Sequence, residues 1–176
     1  MTRLRTLWQD QRAAALIEFA ITLPVLLMLF VGGYQLSDAI TAQRKVTIMT
    51  RAVADLTSQY RTLRVAELDG LMEASTQILT PYATQPVRLR ITQITVDSKG
   101  QAFRIDWSRA RNDFAFPKGD YPSWFIPAAY RRPNMVFILT QSSYQYDSVL
   151  PNYFDTITFS NMLWLLPRRS ATITLT

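Results

Sequence analysis

The stretch RAAALIEFAITLPVLLMLFVGG, Arg12 to Gly33, decides the fold. From Ala13 to Tyr34, Glu18 is the single charged residue. Wound as an α-helix, that length covers about 33 Å at 1.5 Å per residue, enough for a hydrocarbon core of about 30 Å. Two residues interrupt its apolar character. A carboxylate is costly within hydrocarbon, so Glu18 is expected either near the interface, where local hydration tolerates it, or opposite a positive charge from another subunit. Pro24 removes one helical N–H and crowds the preceding turn, which loosens the helix locally.

The flanks give an orientation. Arg3, Arg5 and Arg12 precede the run, together with Asp10, and Asp38 opens the far flank. The positive-inside rule then sets the N-terminus in the cytoplasm and the bulk of the chain across the membrane. A secretory signal peptide is the competing reading, with Ser37-Asp38-Ala39 as its small-x-small cleavage site. Against it stand the glutamate, the proline and a helical pattern that continues through the supposed cut.

That pattern is Ala39, Ala42, Val46, Met49, Val53, Leu56, Tyr60 and Leu63, recurring at spacings of three and four. Such a stripe suits packing on the protein's own sheet, and the same spacing suits a seam between subunits. Gly32-Gly33 falls where the membrane half meets the outer half, a place for a bend. A second helix is expected from Ala66 to Leu79, ended by Pro81. The period then becomes two. Val87, Leu89 and Ile91 alternate with polar residues, and a phase slip near Gln93 hands over to Ile94 and Val96, which reads as a bulge. Asp97-Ser98-Lys99-Gly100 is a turn, followed by alternating Phe103, Ile105 and Trp107, so the segment is a hairpin. Further strands are expected at Met135–Tyr146 and Ser170–Leu175. Between them, 108–134 reads as a long aromatic loop that seals a small core or contacts a partner. Met162–Leu166 is a second apolar stretch, either a buried strand or a docking surface.

The fold class is therefore α+β. A long membrane-spanning helix continues into an amphipathic one, which packs with a short second helix on a small antiparallel sheet. The expected division is a basic leader 1–13, a transmembrane helix 14–36 and a head 37–176.

Composition removes many functions. The 176 residues include no cysteine and no histidine, so thiol chemistry and every hydrolase built on a Ser–His or Cys–His pair are excluded. There is no glycine-rich phosphate loop, and Asp106, Asp113 and Asp120 lack metal-ligand spacing. Neither an enzyme nor a cofactor is expected. The net charge of +6 is scattered as isolated arginines and short doublets rather than a stripe, so nucleic acid is not an expected partner.

A basic flank, small residues, Glu18-Phe19-Ala20 and an apolar run holding Leu23-Pro24 together resemble the N-terminus of TadE-like minor pseudopilins, of the tight-adherence (Flp-type) branch of bacterial type IV pili. The resemblance extends to Arg51-Ala52-Val53-Ala54-Asp55-Leu56, to Tyr144-Gln145-Tyr146 and to Pro167-Arg168. It implies a pilin-like head in the periplasm and an inner-membrane anchor. It also implies cleavage by a prepilin peptidase between Ala13 and Ala14, which makes Glu18 fifth in the mature chain. Phe19 belongs to the recognition motif. Glu18 would compensate the new terminal ammonium of a neighbouring subunit. The implied partners are other pilin and pseudopilin subunits, the peptidase, the inner-membrane assembly platform and membrane lipid. Two positions depart from the family pattern: Ala13 stands where glycine precedes the cut, and Gln141 where an acid precedes the Tyr-x-Tyr. An uncleaved, membrane-anchored scaffold or binding domain of an envelope complex is the alternative.

Overall fold

The computed structural model describes residues 11–122, 126–148 and 155–176, with side chains from Ala14 onward. The chain divides after Ile40 into two units. One helix, α1 (Gln11–Ser58), belongs to both and is unbroken through Pro24 and through Gly32-Gly33. Its end is tightened by short-range bonds: Thr57 Oγ1 donates to the Val53 carbonyl, Ser58 Oγ to that of Asp55, and Gln59 N–H to that of Leu56. The last two occupy carbonyls, of Asp55 and Leu56, that a helix C-terminus leaves open.

The second unit, Thr41–Thr176, holds the sheet. After β1 (Thr62–Leu63) comes α2 (Val65–Thr76), whose first turn is fixed by Glu67 Oε2 accepting from Arg64 N–H at 2.9 Å. It tightens into a 3-10 turn, Gln77–Leu79, shortly before Pro81. The remaining strands are β2 (Val87–Val96), β3 (Ala102–Arg111), β4 (Gly119–Pro122), β5 (Val136–Tyr146), β6 (Ile157–Leu165) and β7 (Thr174–Leu175). Five form one antiparallel sheet in the order β4-β3-β2-β5-β6.

The sheet is buried on different faces at its two ends. On one face lie Val87, Leu89, Ile91, Tyr144 and Tyr146, all buried. Helix α1 covers that face through Ala42, Val46, Met49 and Val53, and Thr50 Oγ1 lies 2.6 Å from Ser142 Oγ. Helix α2 is pinned there by Asp69 to Arg109 and Glu73 to Arg111. The opposite face carries a second cluster at the far end of the strands: Ile94, Val96, Phe103, Ile105, Ile126, Phe137 and Leu139. Phe116, Tyr121, Tyr130 and Trp164 pack against it, with Tyr130 stacked on Trp164.

The phase slip in β2 therefore has two parts. Against β5 the strand keeps an unbroken register, and its apolar residues change parity because the covered face changes. Against β3 a bulge does occur, between Gln93 and Ile94, with Asp106 as the extra residue. Asp106 and Trp107 thereby point to the helix-covered face. There Asp106 Oδ2 accepts from Gln93 Nε2 and Thr95 Oγ1. Trp107 consequently does not share a face with Phe103 and Ile105, as simple alternation had it.

Two further expectations are refined. The aromatic stretch 108–134 contains the end of β3 and the edge strand β4, and its Phe116, Tyr121 and Tyr130 seal the second cluster, while Phe114 is 88% exposed. Trp124, Phe125, Tyr153 and Phe154 lie outside the described residues. The C-terminal strand is shorter than Ser170–Leu175. It is confined to Thr174–Leu175 and pairs in parallel with β1 rather than with the main sheet.

Candidate membrane-anchor and assembly site

From Ala14 to Phe30 every residue of α1 is exposed, including Leu16, Ile17, Phe19, Ile21, Met28 and Phe30. The helix is long and apolar enough to cross a membrane. A contiguous apolar surface of this size is unfavourable in water and marks contact with lipid or with other chains.

Glu18 is the one charge on it. Helical spacing sets Ala14, Glu18 and Thr22 on one line, with Ala15 beside them. These small neighbours leave room for another backbone to come close to the carboxylate. Phe19 follows, about 100° round the helix, and is also exposed. Pro24 sits inside the helix and lacks the N–H that would bond the Ala20 carbonyl, so that acceptor is free for water or another donor. Among the described residues Glu18 makes no ion pair. Arg3 and Arg5 lie outside the described residues, as do the side chains of Arg12 and Ala13.

In the sheet unit, two segments far apart in sequence meet. Arg168 Nη2 lies 2.7 Å from Asp55 Oδ1, and Arg168 N–H donates to the Ser58 carbonyl at 2.8 Å. The Arg51–Leu56 stretch and the Pro167-Arg168 pair are thus parts of one clasp between the end of α1 and the C-terminal segment. Tyr144 and Tyr146 are buried, with Tyr146 edge-on to Tyr82. Gln141 has a neighbour that sequence reading missed. Its Oε1 accepts from Arg90, and the carboxylate that Arg90 takes comes from Asp113. The Arg90 guanidinium also lies 4.2 Å over the Phe116 ring. Nothing in the spacing of 90, 113, 116 and 141 announces this group, because three separate segments supply it.

Two carboxylates in this unit have lowered pKa values. Asp69 is held down chiefly by the two hydrogen bonds it accepts from Arg109, at 2.7 and 2.6 Å. Asp97 is held down first by the Ala102 N–H and then by its other backbone donors in the turn. Both serve the architecture: one ties α2 to the sheet, the other closes the hairpin. Among the described residues no group of three acidic side chains is arranged to hold a metal ion.

No curated protein and no solved structure matches the chain. Residues 13–55 match the model of the TadE family, described as TadE-like protein. The matched segment takes in the exposed apolar run, Glu18, Pro24 and the part of α1 that packs on the sheet, as far as Asp55 of the clasp. Over residues 13–55, then, about a quarter of its length, this chain is similar to TadE-like proteins.

Proposed function

We propose that the chain is a structural minor pseudopilin, a single-pass inner-membrane protein that joins or primes a tight-adherence pilus after a prepilin peptidase cuts between Ala13 and Ala14. The observation that carries this reading is a single carboxylate, Glu18, one helical turn beyond Ala14 on an exposed apolar helix. Cleavage there would leave an ammonium on Ala14. In a low-dielectric setting that ammonium and a carboxylate are each expensive alone, so pairing Glu18 of one subunit with the amine of its neighbour fixes their axial register. Phe19 belongs to the motif that the peptidase reads. Pro24 leaves the helix one bond short and lets it yield as subunits pack. Residues 14–36 span the membrane, 37–176 form the periplasmic head, and the partners are other pilin and pseudopilin subunits and the assembly platform.

One observation favours a second reading, an uncleaved membrane-anchored scaffold: Ala13 occupies the place where the family carries glycine. The intact mass of the chain extracted from membranes separates them. Loss of residues 1–13 is the outcome expected for a pseudopilin, and an uncut chain supports the scaffold. Loss of 1–39 would mark a signal peptide. The charge pairing is tested by Glu18→Gln, which should abolish co-assembly with other pilus subunits while head stability is unchanged. Normal pili built with that variant would overturn it.

A further inference from the structure

The two edges of the five-stranded sheet differ. At one, β4 is four residues long and carries Asp120 and Pro122, features that discourage another strand from adding. At the other, β6 runs for nine residues, Ile157–Leu165, with no charge and no proline. Among the described elements no strand pairs with its outer side. Its unmet backbone N–H and C=O groups call for the backbone of another extended segment.

The sheet face turned away from α1 shows what that segment carries. Across it, Arg88, Ser143 and Ser160 are in register on β2, β5 and β6. The two serines are small, so the row is a trough running from Arg88 to the free edge. The next row holds Arg90, Gln141 and Met162, and Arg90 is already occupied by Asp113. Arg88 is exposed and, among the described residues, makes no ion pair. These rows line an open depression of about 260 Å³. Each strand step is about 4.8 Å, so an added strand would lie about 14 Å from Arg88. An arginine extended over two serines and a glutamate reaching inward close that distance.

We propose that β6 and its trough receive an extended segment of a partner protein by strand addition, with a glutamate of that segment meeting Arg88. The backbone edge supplies most of the affinity, and the arginine selects the acidic strand. This surface lies within the head and does not depend on the cleavage reading.

The test uses the full chain in non-ionic detergent and two blocked synthetic peptides of alternating Thr and Val, one with a central Glu and one with Gln. The Glu peptide is expected to slow amide exchange along Ile157–Leu165 and to bind up to about fivefold more tightly than the Gln peptide. Arg88→Gln should bring the two peptides level while leaving the Gln peptide's affinity unchanged. Arg88→Lys keeps the charge and should retain a Glu preference, which supplies the comparison even if Arg88→Gln folds poorly. Absence of binding, protection confined to other strands, or equal affinity of wild-type protein for both peptides would each overturn the proposal.

Discussion

Arg168 reaches back across the fold to Asp55, with Nη2 at 2.7 Å from Oδ1, and its backbone N–H bonds the Ser58 carbonyl. The end of α1 is thereby joined to the C-terminal segment by one side-chain contact and one main-chain contact. The two have different weights. Both side chains are substantially exposed, so the ion pair contributes at most about 1 kcal/mol. Arg168→Ala should lower the thermal unfolding midpoint only slightly, because the main-chain bond survives the substitution. A loss well above that value in denaturant titrations would mean that the side chain supports packing which its exposure does not show.

The acid limb of stability offers a second prediction. Because Asp69 and Asp97 have pKa values below the usual carboxylate range, the unfolded chain binds protons at these sites more readily than the folded one. Their contribution is complete above the unfolded value of about 3.9 and is lost as pH falls through the lower folded values. Stability measured by urea unfolding should accordingly fall across that acidic window. Asp69→Asn should flatten part of the fall and leave the remainder, to which Asp97 contributes. An unchanged slope would show that the Arg109 contact does not hold Asp69 ionised in solution.

The hairpin turn yields a third. Gly100 has φ +69°, and a Cβ there would meet the Arg131 carbonyl oxygen at 2.9 Å. Gly100→Ala combines a left-handed backbone, costing about 1–2 kcal/mol, with a contact against main chain that does not move freely. Gly100→Asn tolerates the backbone conformation but keeps the contact. If Asn is as destabilising as Ala in equilibrium unfolding, the contact dominates. If Asn recovers most of the loss, the dihedral does.

Several elements were legible because their cause is local. The apolar run around Glu18, the stripe from Ala39 as far as Val53 and the turn at Asp97–Gly100 each follow from spacing within one segment and appear where that spacing sets them. Leu56 and Tyr60, expected on the same stripe, are instead exposed, and the helix ends at Ser58. What escaped depends on partners distant in the chain. The parity change at Gln93 and Ile94 arises from which face is covered, by α1 at one end and by the aromatic loop at the other. Trp107 crosses to the other face because Asp106 is bulged, which alternation cannot register. The short β7 is set by its pairing to Thr62–Leu63. Along the exposed apolar run the lone carboxylate of Glu18 was legible and what it meets was not, because among the described residues it makes no ion pair.

The last prediction concerns Gln93, on the strand opposite the bulge, which is 3% exposed yet polar. Its Oε1 accepts from Ile173 N–H at 2.7 Å, and across the strand pair Trp107 Nε1 donates to the Ile173 carbonyl at 2.8 Å. Two side chains in register thus hold both main-chain groups of one buried residue near the C-terminus, and Asp106 fixes the Gln93 amide by accepting from its Nε2 at 2.9 Å. Gln93→Leu keeps the volume but leaves the Ile173 N–H and the Asp106 carboxylate short of a partner, a loss of about 1–3 kcal/mol. Trp107→Phe instead strands the Ile173 carbonyl, which has a second lone pair and a lower penalty. Gln93→Leu should therefore be the more damaging, and hydrogen exchange should rise first at Ile173–Leu175, before the β2–β5 ladder is affected. If exchange rises equally along β2 and β5, Gln93 supports the whole sheet rather than the C-terminal anchor.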